Sequence, residues 1–158
     1  MKQPLSSFDL PKSPKAQIAI IQSKWHQEVS DSMVERCCQV LATAGVPEPE
    51  RHLIPGALEL PLAARHLLNN NQKLEAVIAF GIIIKGETDH YEVVRDNCIS
   101  GLAETSLLFE VPVIIEVLPV LDMAQAKARC ADDEFNKGIE AAKAAVEMIH
   151  WCRANRPK

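Results

Sequence analysis

A chain of 158 residues, 47% hydrophobic and 24% charged, has the size and balance of one soluble globular domain that buries its core without staples. Its formal net charge of −4 leaves no basic footprint for nucleic acid, although one cleft can still hold a small anion. No apolar run reaches the about 18 residues that a membrane span needs. The five cysteines include no CxxC pair and no zinc-type spacing, so reduced thiols in a cytoplasmic protein are expected.

Residues 1–16 (MKQPLSSFDLPKSPKA) carry Pro4, Pro11 and Pro14 and lack the continuous apolar stretch of a signal peptide. They read as a flexible N-terminal arm before a single domain over 17–158. QIAIIQS, 17–23, is a short isoleucine-rich run that suits a strand buried on both faces. After KWH, the segment 27–45 has Val29, Met33, Val34, Cys37, Val40 and Leu41 at helical spacing. Of the adjacent Cys37 and Cys38, at most one can face the core. Gly45 offers a C-terminal cap, and Pro47 and Pro49 forbid continuation.

A second strand starts at RHLI, broken by Pro55-Gly56, and LPLAARHLLNNN, 60–71, reads as a helix stopped by asparagines. EAVIAFGIII, 75–84, is the most continuously apolar strand of the chain. Helical spacing returns over 90–110 through Val93, Val94, Cys98, Leu102, Leu107 and Leu108, and VPVIIEVL, 111–118, is a fourth strand. The remainder, 122–153, is helical with an interruption near 131–136. Strand and helix thus alternate four times, which implies an α/β fold: a three-layer α/β/α sandwich around a four-stranded parallel sheet, flavodoxin-like.

Ligands of such sheets bind at the carboxyl ends of the strands. Here those ends are KWH, PGALE, KGETDH and the residues after VPVIIEVL, and each unusual cluster of the chain falls at one of them. In KGETDH, Gly86 permits a sharp turn with free N–H groups, Thr88 adds a hydroxyl, and His90 can exchange protons near neutral pH. The alternative makes Thr88 or Asp89 a helix cap and His90 a solvated first-turn residue. Trp25 either stacks on a heterocycle or plugs the end of the core, whereas Trp151 reads as packing. Glu59, a carboxylate in an apolar segment, either meets a polyhydroxylated ligand or caps a helix. Arg129 and Lys137 flank the break between the last helices, where a helix N-terminus with a nearby cation favours phosphate; a solvated face is the alternative. The run Asp132, Asp133, Glu134 reads as water-facing rather than as a metal site.

Taken together, KWH, PGALELP, GIIIKGETDH, QAKAR and NKGIEAA, in this order and spacing, resemble the lumazine synthase family across 17–148. The resemblance implies a transferase of riboflavin biosynthesis that needs no cofactor and no metal. It condenses 5-amino-6-(D-ribitylamino)uracil with 3,4-dihydroxy-2-butanone 4-phosphate to 6,7-dimethyl-8-(D-ribityl)lumazine, phosphate and water. On matching positions it implies that Trp25 stacks on the pyrimidine with His26 beside it, at a position often asparagine. Ala57, Leu58 and Glu59 line the ribityl chain, and Ile82, Ile83 and Ile84 present backbone groups to the ring. Ile115 stands where a covering phenylalanine is common. Gly86, Glu87 and Thr88 lie against the phosphate with Arg129 as its cation and Lys137 assisting, and His90 carries the proton.

The resemblance further implies a homo-oligomer with active sites between subunits, Ile115 and Arg129 coming from the neighbour. A pentamer or decamer is expected rather than a 60-subunit shell, because ADDEFNKG is acidic and bulky where shell formers carry a small turn. The rival enzyme is an archaeal-type riboflavin synthase, which shares the fold but has no phosphorylated substrate for Arg129. A non-catalytic flavin or lumazine binder would not need His90.

Overall fold

The most apolar segment of the sequence sits at the centre of the molecule. The computed structural model describes residues 10–157. Its elements run β1 (Ile18–Ser23), α1 (Gln27–Thr43), β2 (Glu50–Ile54), a short 3-10 turn (Ala57–Glu59), α2 (Leu60–Asn70), β3 (Ala76–Ile84), α3 (His90–Phe109), β4 (Val113–Val120), α4 (Met123–Arg129) and α5 (Lys137–Ala154). The four strands are all parallel in the order β2-β1-β3-β4, as the alternating pattern predicts.

The layers follow from the two-residue period of strands. Ile18 and Ile20 of β1 and Ala76, Ile78, Phe80 and Ile82 of β3 face one way, onto Met33, Cys37 and Leu41 of α1 and Ala141, Ala145 and Ile149 of α5. Ala19, Ile21, Val77, Ala79 and Ile83 face the other way, onto Leu60, Ala64 and Leu68 of α2 and Cys98 and Leu102 of α3. Every side chain of β3 before Ile84 is buried, and each Ile or Phe so covered stabilises the fold by about 1.5–3 kcal/mol. The expected C-cap is present: Gly45 has φ +75°, its N–H reaches the Ala42 carbonyl and that of Val46 the Leu41 carbonyl. These two hydrogen bonds satisfy carbonyls left free at the end of α1.

Proline ends one strand and is accommodated within another. β2 stops at Ile54, before Pro55, and β4 runs to Val120, two residues beyond the expected end, with Pro119 inside it. A proline is tolerated there because β4 is an edge strand. Of the arm, residues 1–9 lie outside the described residues. Residues 10–16 are fastened to the body: the Ser13 N–H donates to Ala44 and its hydroxyl meets His150 Nε2 at 2.8 Å. Among the described residues no helix is long and apolar enough to cross a membrane.

The helix expected over 90–110 is present as α3, and one expectation about packing, that of Trp151, needs correction. On α3 only Cys98, Leu102 and Thr105 are buried, while Val93, Leu107 and Leu108 are exposed; its apolar stripe is wider than the face its own chain covers. Trp151 is also exposed, since the buried face of α5 is occupied by small residues and Ile149.

That small-residue face lets α5 lie directly on α1. A Cβ on Gly138 would overlap the Met33 carbonyl oxygen. Asn136, fully buried, ties the preceding turn by accepting from the Gly138 N–H at 2.9 Å and donating to Ser32 Oγ and to the Cys130 and Ala131 carbonyls. Gly138→Ala is therefore expected to force the helices apart. An overpacking cost of about 2–3 kcal/mol corresponds to a Tm lower by roughly 4–10 °C in thermal unfolding. An unchanged Tm would rule out so close an approach.

Candidate active site

The strand order reverses between β1 and β3, because the chain moves outward to β2 on one side and to β4 on the other. That is where an open parallel sheet leaves a crevice. A cleft of about 440 Å³ opens there, lined by Trp25, His26, Gly56, Ala57, Leu58, Glu59, Ile82, Ile83, Ile84, His90 and Val94. The lining residues come from the ends of β1, β2 and β3, from the 3-10 turn, and from the first turns of α3.

The floor is the end of β3. Its register with β1 ends at Gln22–Phe80, whereas that with β4 continues to Ile84–Val120. From Gly81 on, β3 thus has a strand neighbour on the β4 side only, and the backbone edge of Ile82, Ile83 and Ile84 borders the cleft. Unpaired backbone groups of this kind recognise planar donor–acceptor ligands in the way a strand would.

One wall joins Trp25, His26 and Glu59. His26 begins α1 in the left-handed region, φ 57° and ψ 33°, where histidine is one of the tolerated residues. This turn places its ring 6.4 Å from that of Trp25, tilted by 57°. Trp25 is 67% exposed, so it does not plug the core; its ring is available to a ligand. Glu59 precedes α2 but makes no side-chain cap hydrogen bond. Its carboxylate lies instead over Gly56, where a Cβ would come within 2.9 Å of Oε2 and 3.5 Å of the Trp25 ring. A side chain here would push on the flexible end of Glu59 and touch the indole at ordinary contact distance.

The opposite wall is the start of α3. His90 is its first residue and is exposed on the cleft, with Val94 one turn further along the same face. The Thr88 hydroxyl accepts from the His90 N–H at 3.4 Å, which holds the turn. Gly86, Glu87 and Thr88 are exposed at the rim, and Lys85 pairs with Glu92 at 3.7 Å. No thiol is activated nearby: burial pushes the thiols of Cys37, Cys98 and Cys130 up, so they stay protonated at neutral pH.

Three expected site residues lie away from this cleft in their own chain. Ile115 packs against the α2/α3 side of the sheet. Arg129 is exposed at the end of α4, where Nη1 donates to the Gln125 carbonyl at 3.2 Å. Lys137 opens α5 with its ammonium 2.6 Å from the Glu140 carboxylate.

A family model for 6,7-dimethyl-8-ribityllumazine synthase matches residues 15–153. The chain belongs to that family. Among curated proteins named 6,7-dimethyl-8-ribityllumazine synthase, that of Stenotrophomonas maltophilia (strain K279a) is 40% identical over 144 residues, covering 90% of this chain and 92% of its own. Those of Xanthomonas oryzae pv. oryzae (strain PXO99A) and Xanthomonas campestris pv. campestris (strain B100) are 40% and 39% identical, covering 88% and 85% of this chain and 91% and 88% of their own.

Two residues of this lumazine synthase family cleft escape a reading of the sequence. Gly56 is visible only as a turn residue after proline, and Val94 only as one apolar residue in a helical stripe. Their places depend on what approaches them in space. Gly56→Ala, built in a Trp151→Phe background so that Trp25 is the sole tryptophan, is expected to shift the Trp25 emission maximum without changing far-UV circular dichroism. It should also weaken pyrimidine binding by about ten-fold, about 1.4 kcal/mol. An unaltered Trp25 spectrum would show that Glu59 and the indole do not depend on Gly56.

Proposed function

We propose that this member of the family carries out the reaction for which the family is named, in a cytoplasmic setting and with active sites completed by neighbouring subunits. It joins 5-amino-6-(D-ribitylamino)uracil to 3,4-dihydroxy-2-butanone 4-phosphate, releasing phosphate and water. The observation that carries this reading is the single cleft that unites Trp25, Glu59, the half-paired end of β3 and His90. A flat ring to stack on, a backbone edge to read its amide-like rim, and a carboxylate for a polyol match one substrate along its length.

The chemistry consists of imine formation, loss of phosphate, ring closure and dehydration, and each step moves protons. His90 stands at the open end of the cleft, where an imidazole can take a proton from the amine and return it to a departing oxygen. Gly86, Glu87 and Thr88 border the same end and are assigned to the phosphate through their N–H groups and the Thr88 hydroxyl. Arg129 is assigned as its bidentate partner and Lys137 as its assistant. Holding two substrates in register supplies much of the rate, since a bimolecular condensation becomes effectively unimolecular.

Assembly follows from two features. Ile115 and Arg129 do not reach the cleft of their own chain, and Leu62, Leu107 and Leu108 are exposed apolar residues that a neighbour would cover. A pentamer or decamer is proposed over a shell. Between α4 and α5 the bulky acidic turn is held by an Asp132–Arg36 ion pair at 3.5 Å and by Asp133 accepting from the Phe135 N–H.

Incubation of the protein with both substrates should yield lumazine fluorescence. His90→Ala is expected to slow turnover about 10²–10⁴-fold, the usual range for a lost proton carrier, without abolishing it; full activity would remove His90 from the mechanism. Arg129→Ala should raise KM for the phosphorylated substrate at least about ten-fold more than KM for the pyrimidine, and equal losses would contradict its role. Sedimentation showing a megadalton particle would exclude the proposed pentamer or decamer.

A further inference from the structure

A glycine stands in the interior of α3, where its own helix gains nothing from it. Gly101 lies well inside His90–Phe109, and glycine is the poorest helix former apart from proline. Its place is explained by what lies across from it. A Cβ built on Gly101 would come within 2.8 Å of both Cβ and Cγ of Pro61. Neither atom can swing aside, because both belong to the pyrrolidine ring of a residue in the first turn of α2. The buried Cys98 and Leu102 seat α3 here, in one apolar cluster with Ala57, Leu60 and Ala64. The Thr105 hydroxyl donates to the Gly101 carbonyl at 2.8 Å and steadies α3 at the same point.

This contact ties together the two walls of the cleft. Pro61 directly follows the turn that carries Ala57, Leu58 and Glu59, while His90 and Val94 form the facing wall. His90, Val94, Cys98, Gly101 and Thr105 succeed one another at steps of three or four residues and so share one face of α3. The face that borders the cleft is therefore the one that rests on Pro61, roughly 16 Å further along the helix. Moving α3 off Pro61 moves His90 away from Glu59. Trp25 and the free edge of β3 belong to neither helix and keep their places.

We propose that Gly101 is a positioning residue for the reaction: its missing side chain lets α3 seat on the Pro61 ring, and this seat sets the span between His90 and the wall that carries Glu59. The inference rests on the role of His90 proposed above. Carbon atoms in contact stand about 3.5–4.0 Å apart, so a Cβ placed at 2.8 Å forces the helices apart by about 1 Å. A misplacement of about 1 Å, even from a change far from the chemistry, can cost about 10²-fold in rate.

The test is a cycle of Gly101→Ala and Pro61→Gly, singly and together, assayed for lumazine formation at saturating substrates. Gly101→Ala should lower kcat at least about ten-fold. It should raise KM for the pyrimidine by less than this, since Trp25 and the β3 edge still hold the ring. Pro61→Gly removes both atoms that the new Cβ would meet. In that background Gly101→Ala should lower kcat less than about two-fold, a coupling that independent sites do not show. Pro61→Gly also loosens the chain, so such a recovery is not a gain of general stability. An unchanged kcat, a rise in KM as large as the fall in kcat, or the same loss in both backgrounds would overturn the role of Gly101. So would a Gly101→Ala protein that folds only together with Pro61→Gly, because the contact would then serve the fold alone. Absence of lumazine from wild type would instead overturn the reaction, an outcome readable before any variant is made.

Discussion

The structure depends on a strand with no polar face. Because β3 is apolar on both sides, it needs a helix layer above and below, and a parallel neighbour on each edge completes its hydrogen bonding. Parallel neighbours in turn require crossovers, which α1, α2 and α3 supply. Once those crossovers exist, every strand ends at the same side of the sheet. The clustering of Trp25, Gly56–Glu59 and His90 at one end of the molecule is thus a consequence of how the core is built.

The cleft exploits the one place where that construction is incomplete. β3 outruns β1, so its last turns of backbone keep a ladder on one side and a free edge on the other. Around this edge the local devices are small: a left-handed residue at His26 that turns the chain behind Trp25, a missing side chain at Gly56 that admits a carboxylate, and a hydroxyl that steadies the first turn of α3. Each positions a neighbour rather than adding a contact of its own. The same economy holds on the opposite face, where Gly138 and Asn136 let α5 seat on α1.

Not every residue assigned to the reaction reaches the cleft of its own chain. The guanidinium of Arg129 and the side chain of Ile115 lie elsewhere, while leucines on α2 and α3 face outward. The proposed site shared between copies would account for both, and would make assembly a requirement for activity.

Much of this was legible in the residues. Alternating strand and helix patterns, the glycine cap after α1, the break near 131–136, and the four strand ends carrying unusual residues all follow from local rules, namely periodicity, turn chemistry and the position of proline. Four short motifs around Trp25, Glu59, His90 and Arg129, with NKGIEAA, pointed to the family. What local rules do not contain is which apolar residues have a partner. Val93, Leu107 and Leu108 marked a helix and Trp151 read as packing, yet all four are exposed, because burial depends on what the rest of the molecule leaves room to cover. Gly138 read as an ordinary glycine and is a close approach, because the clash it avoids involves Met33, distant in sequence. The sequence by itself determined the sheet, its layers and the identity of the chemical groups, since these rest on near neighbours. Tertiary structure decided which groups meet, since desolvation and steric exclusion arise only when distant segments are brought together.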